Sequence, residues 1–97
     1  MSKSIIQEDT SYCYIHRNLI GFDVPAVHEH HCIHGSANRK LSEKWGLKVY
    51  LCLACHSALH DKHIYDLEIE QIAEKAWLKH NNKTIDDWIK IFGKNFI

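Results

Sequence analysis

Proline and glycine are scarce, with one proline and four glycines in 97 residues. No Pro/Gly-rich linker divides the chain, and no repeat or low-complexity stretch interrupts it. One domain over 1–97 is the expectation at this length. No apolar run approaches the roughly 20 residues that span a bilayer. The opening MSKSIIQEDTSYCYI lacks the apolar core and small-residue cleavage site of a signal peptide. The expected location is therefore the cytoplasm, with no membrane partner. Net charge is absent too, 12 basic side chains against 12 acidic ones, which argues against strong non-specific binding to a polyanion. The distribution is uneven. Residues 35–62 carry Arg39, Lys40, Lys44, Lys48 and Lys62 against only Glu43 and Asp61.

What the chain has in quantity is histidine, nine residues, beside four cysteines. A core this small often needs a staple, and in a reducing compartment paired cysteines hold metal more often than each other. Cys52 and Cys55 have the two-residue gap of a zinc knuckle, and Cys13 and His16 repeat that gap. Together they spell a four-ligand structural zinc site. Cys32 is left over, either a substitute for His16 or a plain buried thiol.

His56 and His60 stand one helical turn apart, able to chelate a second ion from one face. Glu29-His30-His31 is the source of a third ligand. A set of three histidines leaves coordination positions open for water and substrate, as a catalytic metal requires. The letters Cys52-x-x-Cys55-His56 also match a c-type haem attachment. That chemistry belongs outside the cytoplasm and leaves Cys13, His30, His31 and His60 unexplained. His28, His34 and His63 are spare candidates.

The pattern along the chain predicts an α+β fold: a ligand-rich core over 12–63 and a helical tail over 64–97. Residues 1–11 are expected to be loose and 12–17 a knuckle. Weak alternation predicts a strand within 26–33, and 35–38 reads as a loop. A short helix is expected over 38–45, stopped by Gly46, then a strand over 47–52. His56, His60 and His63 would share one face of the next helix. Ile69, Ile72, Ala73, Ala76 and Trp77 form a helical stripe after Asp66, a candidate N-cap. Thr84 to Asp87 reads as a capping box. It leads into Ile85, Trp88, Ile89 and Phe92 on one face, with Gly93 as a stop. The tryptophans are expected in the core.

These residues resemble the HNH, or ββα-metal, endonucleases. That family's pattern is a strand ending in a His-His pair, a second strand, and a helix opening with Cys-x-x-Cys-His-x-x-x-His. Here those are His30-His31, Lys48 to Leu51, and Cys52 to His60. The string from His30 to Lys48, with Ile91-Phe92-Gly93-Lys94-Asn95, is similar to small HNH-like proteins of bacteriophages and prophages. The resemblance implies a zinc-bound ββα-metal core with two C-terminal amphipathic helices, in a bacterial host cell. It implies hydrolysis of a phosphodiester, DNA in the first instance, leaving a 5′ phosphate and a 3′ hydroxyl. His31 becomes the general base. His30, His56 and His60 hold the catalytic ion, one of Mg2+, Mn2+, Ni2+ or Zn2+, and Cys13, His16, Cys52 and Cys55 hold structural zinc. The family's Asn falls at Leu47 when Cys52 is aligned, so Asn38 is the nearest candidate for that catalytic position. Arg39, Lys40, Lys44 and Lys48 are the expected phosphate contacts, and a phage or host protein is a further possible partner. The alternative reading is a non-catalytic zinc module that binds nucleic acid or a protein.

Overall fold

The computed structural model describes residues 3–97. It is a small α+β arrangement in which a two-stranded antiparallel sheet is flanked by helices. The strands are β1 (His28–His31) and β2 (Lys48–Leu51), paired His28 to Leu51 through His31 to Lys48. The helices are α1 (Ser36–Trp45), α2 (Leu53–Lys62), α3 (Asp66–Asn81) and α4 (Ile85–Phe92), and a single π-helical turn covers His16–Ile20. Among the described residues no helix is long and apolar enough to cross a membrane.

Strand alternation decides which residues meet. Val49 and Leu51 are buried and join Leu47, Leu59, Ile69, Ala73, Trp77 and Trp88 in one core. His28 and His30 lie opposite Leu51 and Val49, on the face covered by α2. Glu29 and His31 lie opposite Tyr50 and Lys48 on the other face.

Residues 1–2 lie outside the described residues, but the segment from Lys3 is pinned rather than loose. Ser4 Oγ donates to the Lys48 carbonyl at 2.5 Å, and the Ile5 N–H donates to Gly46 O at 2.9 Å. Gln7 is buried; its Oε1 accepts the Tyr50 N–H at 2.7 Å. The polar composition of this segment comes from its role as a hydrogen-bonding strap along β2.

Three boundaries differ from the sequence pattern. Helix α1 starts at Ser36, inside the expected loop, because Gly35 (φ 101°) turns the chain and accepts the Arg39 N–H. His63 does not continue the face of His56 and His60. It ends α2 in the left-handed region (φ 55°), where its N–H donates to Leu59 O and the Ile64 N–H to Ala58 O. Asp66 is the first residue of α3, not its cap; Tyr65 (φ 64°) holds that place, and the Asp66 carboxylate is bound to imidazoles instead.

In the tail, Thr84 Oγ1 accepts the Asp87 N–H and the Asp87 carboxylate accepts the Thr84 N–H, so the capping box forms as expected. Trp88 and Phe92 are buried, stacked with centroids 3.9 Å apart. Ile85 and Ile89 stay two-fifths exposed (40% and 39%), so only half of the expected apolar face is covered. Trp77 packs edge-on against both Trp45 and Trp88 at 5.6 Å. The tryptophans are core, bridging the tail to α1.

Candidate metal centre

Cys13 lies just before the π-helical turn that His16 opens, Cys52 caps α2 and Cys55 lies in its first turn. His16 Nδ1 lies 3.4 Å from Cys13 Sγ, 3.5 Å from Cys52 Sγ and 3.3 Å from Cys55 Sγ. One ring nitrogen cannot hydrogen-bond three sulfurs at once. Ligands about 2.0–2.3 Å from a tetrahedral zinc lie roughly 3.5 Å from one another, which is the spacing seen. These four side chains are close enough to bind a metal such as zinc. None of the cysteines is in a disulfide. Burial first, then hydrogen bonds to Cys52 and Cys13, push the Cys55 thiol up. Sulfurs this crowded ionise together only around a cation. Cys52 also caps α2, its Sγ accepting the Cys55 N–H. Cys32 is buried apart from this group, a plain interior thiol.

His30, His56 and His60 form a second group, their ligand nitrogens within 4.8 Å of one another. His56 Nε2 and His60 Nε2 are 3.0 Å apart. His30 is buried, and among the described residues its Nε2 has no hydrogen-bond partner. A buried orphan nitrogen costs stability unless something outside the polypeptide satisfies it, and a cation shared with His56 and His60 would do so. Burial, then the nearby His60, His56 and His34, lower the pKa of His30 to about 3. Burial and the neighbours His60 and His28 lower His56 too. Both rings are held in the neutral form that binds metal.

His31 does not join this group. Regular alternation turns it to the other face of β1, where Nε2 lies 3.0 Å from Glu43 Oε1 and 3.5 Å from Glu29 Oε1. The strand ends there, however, and His31 and the three histidines line one cleft of about 540 Å³ together with Arg39 and Ser36. Asn38 Nδ2 donates to the His34 carbonyl at 2.9 Å, tying the bend after β1 to α1.

Arg39 and Lys40 are exposed along this cleft and its continuation. Lys44 is exposed, its Nζ 5.3 Å from the Trp45 ring centre. The expected phosphate contact at Lys48 is corrected: it is 1% exposed, with Nζ 3.0 Å from Glu43 Oε2 and 3.3 Å from Glu29 Oε2. Burial works against its charge, and the two carboxylates more than restore it. A lysine opposite His31 in the register has carboxylates to satisfy and none of its charge left for a ligand.

Two neighbours of His31 do not stand out in the sequence pattern. Glu43 touches His31 and Lys48 from α1, and only the packing of α1 on β1 reveals it. Glu29 was read as part of a ligand run, whereas its two-residue offset from His31 was the signal that both share a face. Comparison with protein-family models, with curated proteins and with solved structures finds no match for this chain.

Proposed function

We propose that this protein is a metal-dependent endonuclease of the HNH type. The observation that carries the reading is one cleft lined by His31, by the His30–His56–His60 group and by Arg39. The group holds three ligands rather than the closed four of a structural zinc site, which favours this reading over a purely structural zinc module.

A divalent ion on His30, His56 and His60 would supply positive charge for the scissile phosphate and the departing 3′ oxygen. Three imidazoles suit zinc or nickel better than magnesium. The chain's own residues do the rest. With Nε2–H donated to Glu43, His31 keeps the lone pair of Nδ1 to take a proton from the attacking water. Glu43 fixes that tautomer and faces the charge the ring gains, the same division of labour as a carboxylate behind a catalytic histidine. Lys48 Nζ, 3.0 Å from Glu43 Oε2, holds that carboxylate in place for this role. Asn38 holds the bend that carries the cleft wall, and Arg39, with Lys40 beside it, binds flanking phosphate.

The test is nicking of supercoiled plasmid by pure protein with Mg2+, Mn2+, Ni2+ or Zn2+, beside a folded His31→Ala variant. Metal-dependent nicking that falls by about a hundredfold or more in the variant is expected. If neither protein cuts DNA or RNA, single- or double-stranded, with any of these ions, the reading gives way to the zinc module.

A further inference from the structure

One constellation of metal-binding side chains has no part in the proposed reaction. His34, in the bend after β1, meets Asp66 at the start of α3, with Nε2 to Oδ1 at 2.6 Å. His63 Nδ1 lies 3.2 Å from the other oxygen, Asp66 Oδ2. Glu70 is one helical turn beyond Asp66 and therefore on its face. Ligand atoms of His34, Asp66 and Glu70 lie within 4.8 Å of one another.

We propose that His34, Asp66 and Glu70, with His63 at the rim, form a further divalent-metal site beside the His30–His56–His60 group. Imidazole and carboxylate together suit a borderline cation, zinc or manganese, rather than calcium or copper(I). The site is independent of the knuckle. Its position is set by His34, which lines the same cleft and whose ring centre is 6.1 Å from that of His30 and 6.5 Å from that of His60.

Glu70 makes the argument. Its carboxyl is part-buried beside that of Asp66, yet among the described residues it has no hydrogen bond or ion pair. Lys94 and the imidazoles of His34 and His63 are near enough to feel its charge without bonding it. Two carboxyl groups turned to one point repel each other, and although His34 and His63 bond Asp66, neither bonds Glu70. A contrast within the same molecule sharpens this. Glu29, His31 and Glu43 offer the same donor types at the same closeness, but Lys48 Nζ already sits 3.3 and 3.0 Å from their carboxylates. That cluster is internally balanced and needs no ion. The Asp66–Glu70 pair has no such lysine.

The test is zinc stoichiometry and affinity, by native mass spectrometry and calorimetry, on the full chain stripped of metal and reloaded with Zn2+. The wild type is expected to bind three ions. Glu70→Gln is expected to lose one of them, or to bind it at least about tenfold more weakly. The thiolate absorption of the cobalt-loaded knuckle should stay unchanged in that variant, and His60→Ala should cost a different ion. Because Glu70 makes no hydrogen bond in the fold, a purely structural role would not respond to this substitution. An unchanged zinc count and affinity in Glu70→Gln overturns the proposal and leaves His34–Asp66 as a hydrogen-bonded tie between the β1–α1 bend and α3. Should the Gln variant lose the thiolate band, Asp66→Asn carries the same readout. None of these outcomes depends on nuclease activity.

Discussion

A proton on His30 would place a charge in a buried position already crowded by His56, His60 and His34, which is why its pKa falls from 6.5 to about 3. In the unfolded chain the same ring titrates near 6.5. As pH drops below that value the unfolded state takes up a proton that the folded state refuses. The contribution is therefore complete above about 6.5 and is lost progressively as pH falls toward 3. With one equivalent of zinc to fill the knuckle, the wild type should lose about 1.4 kcal/mol per pH unit below 6.5 relative to His30→Leu. Urea unfolding of both proteins at pH 7.5, 6.5 and 5.5 checks it. Parallel stability profiles would show that His30 is free to protonate in the fold. The closeness of Cys13 to His16, of Cys52 to Cys55 and of His56 to His60 was legible from spacing, because a two-residue gap or one helical turn is a local constraint that tertiary packing preserves. His31 was harder to place. Its nearest polar partner is Glu43, twelve residues away and brought near by the docking of α1.

Helix ends carry much of the local specification here, and two of them separate conformational strain from crowding. Gly46 ends α1 at φ 71° and Gly93 ends α4 at φ 83°, both in the left-handed region. A Cβ on Gly93 would meet nothing, whereas one on Gly46 would run into the Lys3 carbonyl and crowd Ile5. Gly93→Ala should therefore cost only the backbone strain, about 1 kcal/mol. Gly46→Ala should cost about 2–4 kcal/mol, because the strap from Lys3 to Gln7 must also leave β2. Thermal melts of the two variants are the check, and equal losses would mean that the strap contributes nothing. Strand and helix types could be read from the pattern, and so could the stops at Gly46 and Gly93, since these follow from local geometry. The starts of α1 and α3 could not. At Gly35 the turn that launches a helix looks like any loop glycine. At Asp66 the carboxylate that normally caps a helix is diverted to His34, a partner 32 residues away.

The knuckle residues bring together two distant parts of the chain, Cys13 with His16 and Cys52 with Cys55. Cys13 and His16 stand some 40 residues before Cys52 and Cys55, so an ion bound there would close a long loop as well as satisfy four side chains. Structural zinc sites of this type bind with about 10–16 kcal/mol, comparable to the roughly 5–15 kcal/mol by which whole domains are stable. Removing that ion should therefore unfold the core rather than loosen it. The aromatic cluster of Trp45, Trp77, Trp88 and Phe92 reports the result, because Trp45 belongs to α1 and the others to the tail. Near-UV circular dichroism should collapse on chelation and in Cys55→Ser, and the cooperative thermal transition should disappear in both. His60→Ala removes a ligand from the open group, not from the knuckle, and should keep both signals with a melting temperature within a few degrees of the wild type. If instead Cys55→Ser melts like the wild type, the apolar core around Leu47, Val49 and Trp77 suffices on its own. The four-ligand site would then be an accessory to the fold and not its closure.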